Sequence, residues 1–158
     1  MTTRDTTLMQ FYSGWEEFQG YLRTAVAPLG PEQLALRVGP EQRAIGLLAA
    51  HIIAARASWF GRIMGEGDAA FAAMRAWDDV DPPMQTGAEL AAGLDTSWQV
   101  IAAALGRWTV ADFDARFHTG RRERTRQWII WHVMEHDLYH GGELFLTCGL
   151  HGLPVPDL

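Results

Sequence analysis

The 158-residue sequence contains no lysine and only one cysteine, Cys148. A single cysteine excludes an internal disulfide and fits a reducing compartment, so we expect a cytoplasmic protein. The first ten residues contain no apolar run of the kind that forms a signal peptide. All thirteen basic residues are arginines, and the formal net charge is −6. Because nucleic-acid binders gain much of their affinity by neutralising phosphates, this balance argues against general nucleic-acid binding.

Long uninterrupted apolar runs are also missing. The most apolar stretch, from Ala44 to Phe60, contains His51 and Arg56 and is shorter than the roughly 20 residues that a helix needs to span a bilayer. The sequence therefore predicts no membrane segment. Apolar residues make up 48% of the chain, which is typical of a globular protein, and the length suits one domain over residues 1–158.

Four long segments carry apolar residues at three- and four-residue steps, which is the spacing of one helix face. The predicted helices run from Thr6 to Ala27, Pro40 to Met64, Thr86 to Gly106, and Thr125 to Cys148, with Gly149 as the cap of the last one. Short helical pieces are expected at Pro31–Leu34 and near Asp68–Met74, whereas residues 107–124 are expected to be irregular.

Four helices of this length bury their apolar faces most simply against one another. The sequence therefore predicts an all-α fold, a four-helix bundle in a single domain. The connections after the second and third helices are longer than antiparallel neighbours need. The order of neighbouring helices is consequently left open.

Three of the six histidines follow one another at four-residue intervals in the last predicted helix, at His132, His136 and His140. Residues four apart share a helix face, and two such imidazoles can bind one ion at about 2.1 Å from each nitrogen. The alternative is a row of ordinary core or polar-face histidines. A buried row without partners would, however, leave polar nitrogens unsatisfied at about 1–3 kcal/mol each. The spacing favours a metal site without selecting the pair that binds.

A fourth histidine, His51, interrupts the apolar face of the second helix. A lone histidine there is more often a hydrogen-bonded core residue than a ligand, but together with the histidine row it favours a shared metal centre. Three histidine ligands leave one coordination position open, as in catalytic zinc sites. Glu135, Asp137 and Glu143 are either solvent-facing carboxylates or partners that orient a ligand imidazole.

Two motifs carry a family resemblance. They are Ala50-His51-Ile-Ile-Ala-Ala-Arg-Ala-Ser-Trp59 and His132-x3-His136-x3-His140-Gly-Gly-Glu143-Leu144. With the order of the segments, they make the chain resemble the DinB-like (YfiT-like) family over nearly its whole length. The resemblance implies a four-helix bundle, often a homodimer, that binds zinc, nickel or a similar divalent ion. It also implies His51, His136 and His140 as the metal ligands, with His132 one turn beyond them.

Characterised relatives in that family include transferases and isomerases that use low-molecular-weight thiols such as mycothiol or bacillithiol. The resemblance thus suggests a thiol-dependent S-transferase, in which the metal keeps a bound thiol ionised. The alternatives are a metal-dependent hydrolase of small esters or amides and a non-enzymatic, dimeric metal-binding protein. The expected partner is a small molecule, and no catalytic residue is assigned beyond the metal ligands.

Two further features bear on function. The arginine run Arg121, Arg122, Arg124 and Arg126 is either a solvated loop or an anchor for a carboxylate or phosphate group, since guanidinium groups suit both. Cys148 lies near the end of the last predicted helix and is expected to be an inert, half-buried thiol.

Overall fold

A computed structural model describes residues 6–79 and 84–157 of the protein. The α-helices are α1 (Ser13–Val26), α2 (Pro31–Leu34), α3 (Ile45–Arg56), α4 (Ala69–Ala73), α5 (Gly87–Arg107) and α6 (Arg126–Leu150). α3 continues directly into a π-helix over Ala57–Ile63, and 3-10 turns cover Leu8–Phe11, Met74–Asp78 and Val110–Asp112. Two short strands, β1 (Arg116–Thr119) and β2 (Arg122–Thr125), precede α6. The predicted all-α four-helix bundle is confirmed.

The four long helices α1, α3, α5 and α6 form the bundle. α3 packs against α5 and α6, and α1 packs against the same two helices from the other side. α1 and α3 therefore lie on one diagonal, although no other long helix separates them in the sequence. This arrangement brings α3 beside α6, and these are the two helices that carry the histidines.

Aromatic side chains fill one end of the bundle interior. Trp15, Trp98 and Trp108 are buried there, and the rings of Trp15 and Trp98 meet edge to face at 5.4 Å between centroids. Smaller apolar residues of α3 and α5 fill the other end. Complete burial of one large apolar side chain stabilises the fold by about 1.5–3 kcal/mol. The apolar helix faces that the sequence predicts therefore hold the bundle together.

The prediction of irregular structure over residues 107–124 was wrong in one part. β1 and β2 pair as an antiparallel hairpin in which Phe117 lies opposite Arg124, and Gly120 turns the chain at a φ of 74°. A left-handed φ of this kind costs glycine little. These strands are short and rich in charge, and so they lack the apolar alternation that marks a strand in a sequence.

Several predicted helix ends are also corrected. The second long helix begins at Ile45 rather than Pro40. The last helix continues through Gly149 to Leu150, and the left-handed glycine lies beyond it at Gly152. The predicted starts at Thr86 and Thr125 are confirmed, since each hydroxyl accepts a hydrogen bond from a backbone N–H in the first turn.

The connection between α4 and α5 lies partly outside the described residues, because residues 80–83 are not described. Its first part contains the predicted helical piece, observed as α4 and the 3-10 turn Met74–Asp78. Within residues 6–79 and 84–157, none of the helices is both long and apolar enough to pass through a membrane.

Candidate metal centre

Three histidines converge where α3 packs against α6. His51 extends from α3, and His136 and His140 extend from successive turns of α6. Their ring centroids are 4.5 to 4.6 Å apart, and one nitrogen of each ring lies within 4.8 Å of the others. The structure thus brings together the three residues that the family resemblance implied as ligands. A cluster of this kind could hold a metal ion.

Two carboxylates fix the orientation of two of these rings. Asp78 Oδ2 lies 2.6 Å from His51 Nδ1, and Glu143 Oε2 lies 2.6 Å from His140 Nδ1. An ionised carboxylate only accepts hydrogen bonds, so each Nδ1 carries a proton and donates it. In a neutral ring of this tautomer, Nε2 carries the lone pair that can bind a metal. Carboxylate–histidine pairs of this type orient imidazoles in many metal sites and make the ring a stronger ligand.

His136 differs from the other two histidines. Its Nε2 atom lies 3.0 Å from Nε2 of His51, and its Nδ1 atom is buried without a hydrogen-bond partner among the described residues. Burial, followed by the neighbouring His51 and His140 rings, lowers the pKa of His136 to about 3. Burial also lowers the pKa of His51, although its hydrogen bond to Asp78 opposes this. The lowered pKa values favour the neutral form of His51 and His136, which is the form that binds metals.

The geometry fits a transition-metal ion. Two nitrogens bound tetrahedrally to zinc at about 2.1 Å lie about 3.4 Å apart, so a small widening of the 3.0 Å contact between His51 and His136 would accommodate the ion. An all-imidazole donor set suits zinc, nickel, cobalt, copper or iron rather than magnesium or calcium. Three protein nitrogens would leave at least one coordination position for another molecule.

His132 lies outside this cluster. Its ring stacks on Trp128 at 4.7 Å with an interplanar angle of 17°, and it meets Trp59 edge to face at 4.8 Å. The distance from its centroid to that of His136 is 6.4 Å. The placement one turn beyond the ligands, which the resemblance implied, agrees with this arrangement.

The three carboxylates near the histidine row have different surroundings. Glu143 accepts a hydrogen bond from His140 and orients its ring, which is the second of the two roles expected for these carboxylates. Glu135 is exposed and lies 3.8 Å from His132. Asp137 is neither solvent-facing nor an imidazole partner, because it is fully buried. Its Oδ2 accepts hydrogen bonds from Arg56 Nε at 2.9 Å and Trp15 Nε1 at 2.7 Å.

The buried pair of Arg56 and Asp137 and the orienting Asp78 are the residues that sequence reasoning missed. The guanidinium of Arg56 also donates to Gln19 and Ser97, so with Trp15 the network joins five side chains across the bundle interior. A charged residue inside the most apolar helix was the available signal for Arg56. Asp78 lies in a connection without periodicity, where no pattern indicates which carboxylate turns inward.

An open cleft adjoins the histidine cluster. It has a volume of about 380 Å³, and its walls include His51, His136, Trp59, Arg62 and Arg75. The π-helix supplies part of this wall, and the 3-10 turn Met74–Asp78 supplies another. A small molecule in the cleft would therefore have direct access to the imidazoles.

The arginine run does not line this cleft. Arg124 lies over the Trp128 ring at 4.2 Å, and Arg126 lies over the Trp108 ring at 4.3 Å. Arg126 also donates to the backbone carbonyl of Asp112. These two arginines thus pack against aromatic rings, as cations often do. Cys148, expected to be half-buried, is almost fully buried, and burial raises the pKa of its thiol.

The fold and this site define a class of protein, namely helical bundles with a three-histidine cluster between two helices. The chain belongs to the DinB family, whose sequence model matches residues 1–158. A DinB-like protein from Bacillus cereus, known from a crystal structure, is 18% identical in sequence, and the two folds superpose with a TM-score of 0.74 over 96% of this chain and 97% of that one. A DinB-like protein from Bacillus subtilis is also 18% identical, with a TM-score of 0.69 over 94% and 96%. No curated protein matches the sequence significantly. At these identities the two structures show a shared fold.

Proposed function

We propose that this DinB-family protein is a metal-dependent enzyme acting on a small molecule, and that it is a thiol-dependent S-transferase. The observation that carries the proposal is the convergence of three imidazoles beside an open cleft. A site closed by four protein ligands would suggest a structural role, whereas three ligands and a cleft suit exchange of a bound molecule.

A divalent ion in this site would supply Lewis acidity, which lowers the pKa of a thiol at the open position. The chain's own residues hold the site ready. Asp78 and Glu143 keep the Nδ1 protons in place, so that the Nε2 atoms of His51 and His140 face the centre. In the transfer, the thiolate sulfur forms a bond to an electrophilic carbon, the leaving group departs with its electron pair, and the thiol proton passes to solvent.

Zinc or nickel is the ion that we propose. Both accept imidazole nitrogen at the distances that this cluster allows. The choice rests on the donor set and on the family resemblance, and metal analysis decides it.

The first experiment measures metal in the purified protein. We expect close to one equivalent in the parent and severe loss in His51→Ala, His136→Ala and His140→Ala. His132→Ala is the matched control on the same helix, because its ring stacks on Trp128 outside the cluster, and it should retain most of its metal. Equal metal content in all five proteins would remove the metal centre from the proposal.

The second experiment measures thiol consumption with an electrophile such as 1-chloro-2,4-dinitrobenzene, across a panel that includes mycothiol, bacillithiol and glutathione. We expect turnover in the metal-loaded parent and in His132→Ala, and none after chelation or in His136→Ala. Ester or amide hydrolysis without a thiol would indicate a hydrolase instead. Metal-dependent stability without turnover of either kind would indicate a non-enzymatic metal-binding protein.

A further inference from the structure

Two arginines line the cleft beside the histidine cluster. Arg62 and Arg75 border the same space of about 380 Å³ as His51 and His136, and both side chains are exposed. Over residues 6–79 and 84–157, neither of them takes part in an ion pair. Within these ranges, both guanidinium groups thus border the cleft without a carboxylate partner.

The backbone that carries these arginines is not regular α-helix. Arg62 belongs to the π-helix Ala57–Ile63, and Arg75 belongs to the 3-10 turn Met74–Asp78. π-Helical turns are rare and occur frequently at functional sites. Here the π-helix also supplies Ser58 and Trp59 to the cleft, and the 3-10 turn supplies Asp78, the partner of His51. Two departures from α-helical winding thus form one wall of a single space.

The charges of the cleft favour an anion once a metal is bound. Among the residues that the structure describes, the carboxylates lining the cleft are Asp78 and Asp79, which formally balance Arg62 and Arg75. A divalent ion at the histidines makes the total positive. Guanidinium groups add directional donors that match the two oxygens of a carboxylate. The cleft is also lined by the rings of Trp59 and His132, which suit an apolar body.

We infer that Arg62 and Arg75 bind the carboxylate of a small molecule whose other end occupies the open position at the metal. The ligand class is an anionic molecule with a metal-binding group at one end and a carboxylate at the other. This deepens the proposed function, on which it rests in taking the metal-binding group to be a thiol. It also replaces the arginine run at residues 121–126 as the anchor for a substrate carboxylate.

The experiment uses protein loaded with cobalt(II), whose visible absorption changes when a ligand joins the metal. Two matched pairs of probes are titrated. One pair is 3-mercaptopropionate and its neutral amide, and the other is succinic monohydroxamate and its neutral amide. We expect each carboxylate to bind about tenfold or more tightly than its amide, the effect of one charge-assisted hydrogen bond. The variants Arg62→Gln and Arg75→Gln should reduce this preference, and the double variant should abolish it.

The control variant is Arg122→Gln, which removes an exposed arginine of the hairpin that does not line the cleft. It should keep the full preference. A preference that survives in the double variant would mean that the carboxylate chelates the metal, and this would overturn the inference. Equal binding of acid and amide in both pairs would overturn it as well, as would the absence of any binding.

The two probe pairs separate this inference from the proposed function. If neither thiol changes the cobalt spectrum while the hydroxamate pair shows the arginine-dependent preference, the thiol chemistry fails and the anion site stands. If both thiols bind equally in all variants, the proposed function survives and the anion site fails.

Discussion

Removing the carboxylates behind His51 and His140 tests whether the polar contacts of the cluster serve a metal. Asp78 and Glu143 each accept a hydrogen bond of 2.6 Å from an Nδ1 atom, and each therefore fixes the ring of one proposed ligand. Loss of such a partner costs about 10- to 100-fold in metal affinity, or about 1.4–2.7 kcal/mol. We expect this loss in Asp78→Ala and in Glu143→Ala. Because the two carboxylates act on different proposed ligands, the double variant should lose approximately the product of both factors.

Conservative variants separate charge from geometry. Asp78→Asn and Glu143→Gln keep an oxygen acceptor but lose the charge. A hydrogen bond to a charged group is worth about 1.5–3 kcal/mol and a neutral one about 0.5–1.5, so these variants should lose about five- to tenfold rather than the full amount. The assay is competition for zinc with a chromophoric chelator at pH 7. Glu135→Ala is the control, because Glu135 lies near His132 and not near a proposed ligand. Changes below twofold in both alanine variants, or an equal change in the control, would refute the reasoning.

Three further predictions concern stability and assembly. Asp137→Ala leaves the buried Arg56 guanidinium without its carboxylate and should lower the free energy of unfolding, measured in urea, by about 3–5 kcal/mol. The double variant Arg56→Met with Asp137→Leu should lose less stability. A loss below about 1 kcal/mol in the single variant would contradict the prediction. The pKa of His136 is lowered in the folded chain, so above pH 6.5 the ring is neutral in both the folded and the unfolded state. The metal-free protein should therefore lose stability as the pH falls from about 6.5 towards 3, by less than about 1.4 kcal/mol per pH unit because the ring is only partly buried. His136→Asn should show a shallower dependence of stability on pH, and an unchanged slope would contradict the prediction. We also expect a homodimer that forms through exposed apolar residues of α6, including Trp131, Leu138 and Leu146. Light scattering should show monomers for Leu138→Lys but dimers for the control Val110→Lys, which changes an exposed residue elsewhere. A monomeric parent protein would contradict the prediction.

The sequence was sufficient for those parts of the site that depend on helical periodicity. His136 and His140 are four residues apart, so any continuous helix through residues 126–150 places them on one face. His51, inside an apolar helix face, only favoured a shared centre, and its assignment as the third ligand came from the family resemblance. Periodicity within one helix says nothing about which helices are neighbours. The diagonal placement of α1 and α3 follows from long connections whose path no local pattern determines.

Other parts of the site depend on contacts between distant residues. Asp137 is of the same chemical type as Glu135 and Glu143 and belongs to the same helix, yet it alone faces the buried Arg56. Asp78 reaches His51 because the connection after α4 folds back over α3. The π-helix differs from an α-helix by one residue in the span of each backbone hydrogen bond, and over seven residues this change is too small for apolar spacing to reveal. These features were therefore found only in the structure.

The position of the histidine cluster between α3 and α6 has a consequence for folding. An ion held by His51 and His140 would tie together two points of the chain with all of α5 and the hairpin between them. Because the unfolded chain does not present these nitrogens together, metal binding favours the folded state by mass action, and the gain grows with the logarithm of the free metal concentration once this exceeds Kd. The melting temperature should therefore rise with the concentration of free metal in the parent and stay constant in a variant that lacks His51. The same contact between α3 and α6 would then also determine how strongly the stability of the fold depends on its ion.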